Sequence, residues 1–205
     1  IGYWGDHQII YLLKMMEASA KFHPEKLKEL LQKEVNVYAN VPYRIKGYDA
    51  ILSNPRDTVD YDHRQAEIIG GRVEGLGADG KMVWNQNGGL IRANLTEKIL
   101  VTVLTKLYNF IPDAGIWLNT QRPEWNDANN ALVGNGTSMV TLYYLRRFLK
   151  FGVKEFESMG ETEIEINKPV KDLLDALQRA MHVRKHLIGE EISDHERRRI
   201  MDRFG

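Results

Sequence analysis

The amino-acid sequence predicts a mainly α protein whose helices are joined in pairs as α/α hairpins. Apolar residues recur at spacings of three and four through most of the 205 residues, which is the period of an amphipathic helix. Runs that alternate with a period of two are scarce, so little strand is expected. The long connections between the helical segments favour hairpins over a compact four-helix bundle, whose loops are short.

Three helices are predicted in the first half of the chain. The first begins after Asp6, whose side chain suits an N-cap. The second covers 24–38, because Pro24 is well tolerated at the first position of a helix. Residues 39–59 contain Pro and Gly and are predicted to be a long connection. The third helix is expected at about 60–76, where Gly77 follows as a stop signal.

Four further helices are predicted in the second half. Residues 81–93 and 113–137 are rich in Asn and Gly and are predicted to be irregular. The alternating run at 160–167, GETEIEIN, is a candidate for a short strand. The four helices are expected at 95–110, 139–149, 170–187 and 193–204.

The composition excludes several classes of protein. Lys plus Arg and Asp plus Glu both number 28, so the formal net charge is zero and no basic surface is available for nucleic acid or an anionic membrane. With 43% hydrophobic residues, the chain is too apolar to be disordered throughout. Its apolar runs are far shorter than a membrane span. Because there is no Cys, disulfides, Cys-based zinc sites and thiol nucleophiles are excluded.

Two predicted loops carry residue types that suit a carbohydrate site. The first, at 2–8, is GYWGDHQ; the second, at 122–130, is RPEWNDANN, and GNGTS follows it at 134–138. An aromatic face covers the apolar side of a sugar ring, while carboxylates, amides and imidazoles bond its hydroxyl groups. A carboxyl group packed against indole favours its protonated form, which suits a general acid. Asp127, two residues from Trp125, occupies such a position.

Each of these features also has a purely structural explanation. A Trp-Asn-Asp loop is often only a turn, in which Asn and Asp bond backbone groups and Trp fills a hole. Asp6 needs no role beyond that of an N-cap. Asp60, Asp62 and His63 are residue types that bind metals, but their spacing suits the acid-rich first turn of a helix, and this explanation is favoured.

The second loop resembles the catalytic loop of the inverting glycoside phosphorylases typified by cellobiose phosphorylase, in the six-hairpin glycosidase-like superfamily. Residues 124–134 are EWNDANNALVG, and Gly136 and Ser138 follow. The family pattern is approximately G-D-W-N-D-G-x-N-x-V-G, followed by a G-x-S helix start. GYWGDH at 2–7 is similar to the family's G-F-S-D-D-H segment, which also opens a helix. The two motifs occur in the family's order and cover about twenty positions in this chain.

The resemblance implies an (α/α)6 toroid, a ring of six helical hairpins with the active site at one end. It implies that Asp127 is the general acid, which protonates the glycosidic oxygen, and that Asp6 holds hydroxyl groups of the sugar whose bond is broken. No metal or cofactor is expected; inorganic phosphate would be the co-substrate of a phosphorylase, attacking the anomeric carbon from the opposite face with inversion. The predicted substrate-binding residues are Trp125, Asp6, Trp4, Asn126 and Glu124.

Three hypotheses about function remain open. The leading one is an enzyme that cleaves a glycosidic bond with inversion, using either phosphate or water. A hydrolase would need a second carboxylate about 6.5–9.5 Å away, for which Asp6, Glu124 and Asp113 are candidates. The second hypothesis is a non-catalytic sugar-binding or scaffold protein, since Ala128 stands where the family has Gly and Gly5 where it has Asp. The third is a helical interaction module.

The length of the chain predicts only part of a toroid. Six hairpins need twelve helices, which at roughly 12 residues each plus long loops exceed 205 residues. The seven predicted helices make about half of the ring, so we expect 1–205 to be part of a catalytic domain, cut at both ends. The expected partners are an oligosaccharide or disaccharide and either the rest of the same polypeptide or a second copy. The resemblance implies a cytoplasmic location.

Overall fold

The computed structural model describes residues 8–119, 131–160, 163–182, 189 and 191–205. In these residues the protein is mostly helical, which confirms the mainly α class. The chain enters through one π-helical turn at Gln8–Leu12. The described residues then form eight α-helices: α1 (Leu13–Phe22), α2 (Pro24–Gln32), α3 (Tyr48–Ser53), α4 (His63–Leu76), α5 (Leu95–Leu107), α6 (Met139–Met159), α7 (Lys168–His182) and α8 (Asp194–Phe204).

Seven short strands in the described residues pair antiparallel in three separate small sheets. β1 pairs with β4, β2 pairs with β3, and β5, β6 and β7 form a three-stranded sheet in that order. The strands are β1 (Asn36–Val37), β2 (Tyr43–Ile45), β3 (Val59–Tyr61), β4 (Arg92–Ala93), β5 (Phe110–Ile111), β6 (Gly115–Trp117) and β7 (Thr137–Ser138).

The prediction of a helix over 24–38 is wrong in its last part. α2 ends at Gln32, because Lys33 is extended and the chain continues into β1, which pairs with β4. Tyr38 instead donates a hydrogen bond from its hydroxyl group to Glu97, on α5. The connection predicted at 39–59 is also more ordered than expected, since it contains β2, α3 and the start of β3.

The third predicted helix is confirmed with a later start. Residues 59–61 pair as β3, and α4 begins at His63 with Asp62 as its N-cap, whose carboxylate accepts a hydrogen bond from the Gln65 amide at 2.9 Å. Asp62 also pairs with Arg44 at 2.9 Å, and Asp60 lies 3.5 Å from the Lys46 ammonium group. Asp62 therefore has a structural role as an N-cap, but the prediction of an acid-rich first turn is wrong, because Asp60 lies in β3 and the first turn of α4 contains no acidic residue.

Three further differences concern the second half. α5 ends at Leu107, and Phe110 already belongs to β5. The connection at 113–137 includes β6, which is buried along its whole length. The strand predicted at 160–167 is wrong for 163–167, which pair with no strand there. The helices predicted at 139–149 and 193–204 are confirmed as α6 and α8, and α7 confirms the described part of 170–187.

α5 contributes side chains to two hydrophobic clusters. Ile99 and Val103 belong to the larger cluster, whereas Leu104 packs with residues of α7 and α8. Within the described part of the chain, no helix is both long and apolar enough to cross a membrane. The larger cluster consists of Ile9, Leu13, Met16, Leu27, Leu31, Ile99, Val103, Ile116, Leu145 and Phe148, and the smaller one of Leu104, Leu177, Ile200 and Phe204.

A buried carboxyl group on α5 ties three distant segments together. Glu97 is 1% exposed, and its oxygens accept hydrogen bonds from the Tyr38 hydroxyl at 2.6 Å, the Asn167 amide at 2.7 Å and the Asn167 side chain at 3.0 Å. Asn94, the N-cap of α5, donates from its side chain to the Glu165 carbonyl at 2.6 Å. These bonds satisfy the buried carboxyl group, which would otherwise be costly to hold away from water.

We predict that Glu97→Gln lowers the free energy of unfolding by about 1–3 kcal/mol, because an amide NH2 group would face donors that now bond a carboxyl oxygen. Urea denaturation measures this loss. Glu67→Gln is the matched control, since Glu67 is exposed on α4 and should change stability by less than about 0.5 kcal/mol. Equal stability of the two variants would contradict the assigned network.

Candidate functional site

The residues predicted to form the site all lie outside the described residues. The structure therefore shows the protein surfaces from which the two motifs extend, and it does not show the motifs' own side chains. The six residues concerned are Trp4, Asp6, Glu124, Trp125, Asn126 and Asp127.

The segment that contains the second motif begins and ends beside the strand pair β6 and β7, which we call its closed base. Trp117 pairs with Thr137 across these strands. Beyond them, the Leu118 amide donates to the Gly136 carbonyl at 3.0 Å, and the Gly134 amide donates to the Leu118 carbonyl at 2.7 Å. The chain thus leaves this base at Leu118 and returns to it at Gly134, so both ends of the segment that contains the motif are attached at one place.

Gly134, which the motif resemblance includes, has a local structural role. Its φ angle is +77°, in the left-handed region, and a Cβ atom there would lie 2.1 Å from Pro55 Cβ. Its carbonyl accepts a hydrogen bond from Trp117 Nε1 at 3.1 Å. Only Gly combines this backbone conformation with such a close approach. The backbone of Gly134 therefore holds the Trp117 ring in place.

Ser138, the last residue of the motif resemblance, opens α6. It is the N-cap, and its hydroxyl oxygen accepts a hydrogen bond from the Thr141 amide at 3.1 Å. A hydroxyl acceptor at this position satisfies one of the free amides at a helix start. The expected helix start after the G-x-S pattern is thus confirmed, and the described end of the motif serves to terminate the loop and begin α6.

A cavity of about 300 Å³ lies beside the base, next to the point where the motif segment begins. Trp117, Asn119, Tyr48 and Asn109 are among the residues that line it. The Tyr48 and Trp117 rings meet edge to face, with centroids 6.3 Å apart. A site that combines aromatic faces with a few fixed polar groups is typical of a small-molecule pocket, and this volume is at the lower end of the usual range.

The amide groups of this cavity are held by hydrogen bonds at the end of α5. The Asn119 side chain donates to Asn109 Oδ1 at 2.8 Å, and the Asn109 side chain donates to the Thr105 carbonyl at 2.8 Å. The Trp117 amide donates to the Asn109 carbonyl at 2.7 Å. Because each member orients the next, the amides and the indole form one preorganised group beside the start of the motif segment.

Tyr48, which lines this cavity, is bonded to a carboxylate whose pKa is lowered. The Tyr48 hydroxyl donates to Asp202 Oδ1 at 2.6 Å, and this bond, together with one from Arg198, lowers the pKa of Asp202. Burial and the same hydrogen bond raise the pKa of Tyr48. A carboxyl group with a lowered pKa is a poor general acid at neutral pH. Asp202 therefore does not suit the proton-donor role predicted for Asp127.

The segment that follows the first motif is anchored in the same core as the second. Ile9 is completely buried and belongs to the same hydrophobic cluster as Ile116 of β6. Arg147 of α6 also forms a two-pronged pair with Glu17 of α1, at 2.9 and 2.6 Å. The chain regions next to both motifs are therefore attached to one rigid part of the molecule.

The other candidate residues have local partners. Asp113, considered as a catalytic base, lies in a turn with a φ angle of +58°, and its carboxylate is 3.6 Å from the Arg197 guanidinium group. Asp60, Asp62 and His63 do not make a metal site: the described part of the chain contains no group of three or more His, Asp or Glu side chains arranged to hold a metal ion.

Sequence reasoning missed Trp117 and Asn119 as pocket residues, along with Tyr48 of α3. A signal was present, because the apolar GIW run directly precedes the polar motif segment and is long enough for a short buried strand. A comparison with known protein families and a search of curated protein sequences found no match for the chain.

We predict that Gly134→Ala lowers the free energy of unfolding by about 2 kcal/mol or more, because the added methyl group is strained at positive φ and collides with Pro55. Thermal and urea unfolding measure the change. Gly152→Ala is the control, since this position in α6 has open space around it and Ala favours a helix. If Gly134→Ala is as stable as the wild type, the assigned conformation of Gly134 in the closed base, and its close approach to Pro55, are wrong.

Proposed function

We propose that this chain is the catalytic part of a carbohydrate-active enzyme that cleaves a glycosidic bond with inversion and uses Asp127 as its general acid. We further propose that the helices form part of an (α/α)6 toroid and that the enzyme acts in the cytoplasm, as the resemblance implies. The substrate would be a disaccharide or an oligosaccharide.

The observation that supports this proposal most strongly is the cavity at the base of the second motif. A sugar ring needs an aromatic surface for its C–H face and fixed amides for its hydroxyl groups. Trp117, Asn119 and Asn109 supply these groups beside the segment that carries Asp127. The volume of about 300 Å³ suits a single small ring better than a long chain. We therefore assign one sugar subsite to this cavity.

In the proposed reaction the Asp127 carboxyl group donates its proton to the glycosidic oxygen as the bond between this oxygen and the anomeric carbon breaks. A nucleophile forms the new bond to the anomeric carbon from the opposite face, which inverts its configuration. If inorganic phosphate is the nucleophile, the product is a sugar 1-phosphate and no protein base is needed. If water attacks, a second carboxylate must accept its proton, and the product is a free sugar.

We predict that Asp127→Asn lowers kcat by at least about 10³-fold, because an amide cannot donate the proton that the leaving oxygen needs. A panel of disaccharides, assayed with and without phosphate for sugar 1-phosphate and free sugar, measures this loss. Asp79→Asn, on an exposed turn, is the control for the loss of a carboxylate and should keep full activity.

Two outcomes of this assay would contradict the proposal. A fully active Asp127→Asn variant would remove the assignment of the general acid. A wild-type chain that binds disaccharides without cleaving any of them would instead favour the non-catalytic sugar-binding hypothesis, which the substitutions at Gly5 and Ala128 motivate. In a phosphorylase, product formation should require phosphate, whereas in a hydrolase it should not.

We predict that Asn119→Ala weakens the affinity for the cleaved disaccharide by about tenfold, since one charge-neutral hydrogen-bonding group of the subsite is lost. Both proteins carry Asp127→Asn, so that the disaccharide is not cleaved, and calorimetric titration with and without Asn119→Ala measures the change in affinity. Asn87→Ala, in an exposed loop, is the matched control and should bind as before. Unchanged affinity of Asn119→Ala would show that the sugar does not occupy this cavity.

A further inference from the structure

A second and larger cleft lies between α7 and α8, on the other side of the Tyr108 ring. Its volume is about 1130 Å³, and it is open to solvent. Arg179 of α7 and Arg199 and Arg203 of α8 line it, and His182 lies at the end of α7. It shares Tyr108 and Phe204 with the smaller cavity at the base of the motif segment, whereas its other lining residues differ.

The two carboxylates in the cleft are already neutralised from outside it. Asp175 accepts a hydrogen bond from the Lys171 ammonium group at 2.7 Å, and this pair lowers its pKa. Asp202 accepts hydrogen bonds from Arg198 at 2.7 Å and from the Tyr48 hydroxyl at 2.6 Å. The direct hydrogen bonds of both carboxylates therefore come from groups outside the cleft, and the charge of Arg179 adds a smaller electrostatic attraction to Asp175.

The Arg side chains are less well paired. Arg199 bonds Glu196 at 3.1 Å, whereas Arg179 and Arg203 have no hydrogen bond or ion pair with any residue that the structure describes. Among the described residues that line the cleft, three arginines stand against two aspartates, Asp175 and Asp202. An excess of one positive charge therefore faces the cavity, in a chain whose overall formal charge is zero.

The inner wall of the cleft is apolar. Tyr108 and Phe204 line it, and their rings meet edge to face with centroids 5.8 Å apart. Ala176 and Ala180 of α7 add small apolar surfaces beside them. The cleft thus combines a cationic rim with an aromatic and aliphatic wall, which suits a ligand that has both an anionic group and an organic body.

We propose that this cleft binds a small organic phosphate, with Arg179 and Arg203 contacting the phosphate group. A guanidinium group presents a planar fork of donors that matches phosphate oxygens. A phosphate monoester carries a charge of about −1.5 to −2 at pH 7, which is opposite in sign to the excess charge of the cleft. The organic part of the ligand lies against Tyr108 and Phe204. This proposal does not depend on the proposed sugar-cleaving activity.

The main alternative is that these side chains are simply exposed and solvated, as single Arg residues on helices usually are. Two features separate this cleft from such a surface. Its cationic groups come from two helices that face one cavity, and its carboxylates are paired with cations outside it.

The test is a calorimetric titration of the whole 205-residue chain with glycerol 3-phosphate, with inorganic phosphate and with glycerol, all at one ionic strength. Glycerol 3-phosphate should bind more tightly than inorganic phosphate, and glycerol should not bind. The double variant Arg179→Gln with Arg203→Gln should weaken the affinity for glycerol 3-phosphate at least about tenfold, because charge-assisted hydrogen bonds are lost. Unchanged circular dichroism would show that the variant is folded.

Arg146→Gln is the matched control. Arg146 is exposed on α6 and lies outside the cleft, so its loss removes one of the two positive charges that the double variant removes, without touching the site. Its affinity for glycerol 3-phosphate should stay within about twofold of the wild type. Equal weakening by Arg146→Gln and by the double variant would show non-specific charge attraction and overturn the proposal. Binding by the double variant that matches the wild type would also overturn it.

Discussion

The burial of α5 is the constraint on which most of the described structure depends. Its Leu104 side packs against α7 and α8, while its Ile99 and Val103 side packs against the larger cluster. A helix buried on two sides must satisfy any polar group that it carries inward. Glu97 does so by accepting hydrogen bonds from Tyr38 and Asn167, which come from segments far away in the sequence.

Further contacts on the same helix strengthen this arrangement. Lys98 lies with its ammonium group 4.0 Å from the centroid of the Tyr38 ring and donates to the Val37 carbonyl, and burial lowers the pKa of its amine. Thr96 donates from its hydroxyl to the Leu31 carbonyl at the end of α2. The start of α5 therefore collects the end of α2, β1 and the segment before α7. Losing one buried partner leaves the others unsatisfied, which makes this network costly to disturb.

The other end of α5 positions the candidate site. Just after the helix, Asn109 bonds the side chain of Asn119 and the amide of Trp117, and the Trp117 ring is held in turn by Gly134. α5 thus bonds distant segments of the core through its first turn. The residues just after its last turn hold the base of the motif segment. This explains how a long polar segment can begin and end at a defined place beside a small cavity.

The sequence predicted the helices better than it predicted the connections. α4, α6 and α8 have clear periodicity and recognisable caps, so their positions follow from local signals. β1 and β6 are only two and three residues long, and β1 pairs with residues more than fifty positions away, so no local period reveals it. The motifs likewise predicted Asp127 as a site residue. They did not predict Trp117 or Asn119, because contacts with the end of α5 place these two residues at the cavity.

The two cavities share a wall, and this connects the candidate site to the smaller hydrophobic cluster. Tyr108 and Phe204 line both cavities, and Phe204 is also a buried member of that cluster. Tyr48 lines the first cavity and bonds Asp202, which lines the second. A shift of α8 large enough to move Phe204 would change the shape of both cavities and, at the same time, disrupt the packing of the smaller hydrophobic cluster. The packing of α8 therefore maintains the shape of the proposed sugar subsite, although α8 carries none of the motif residues.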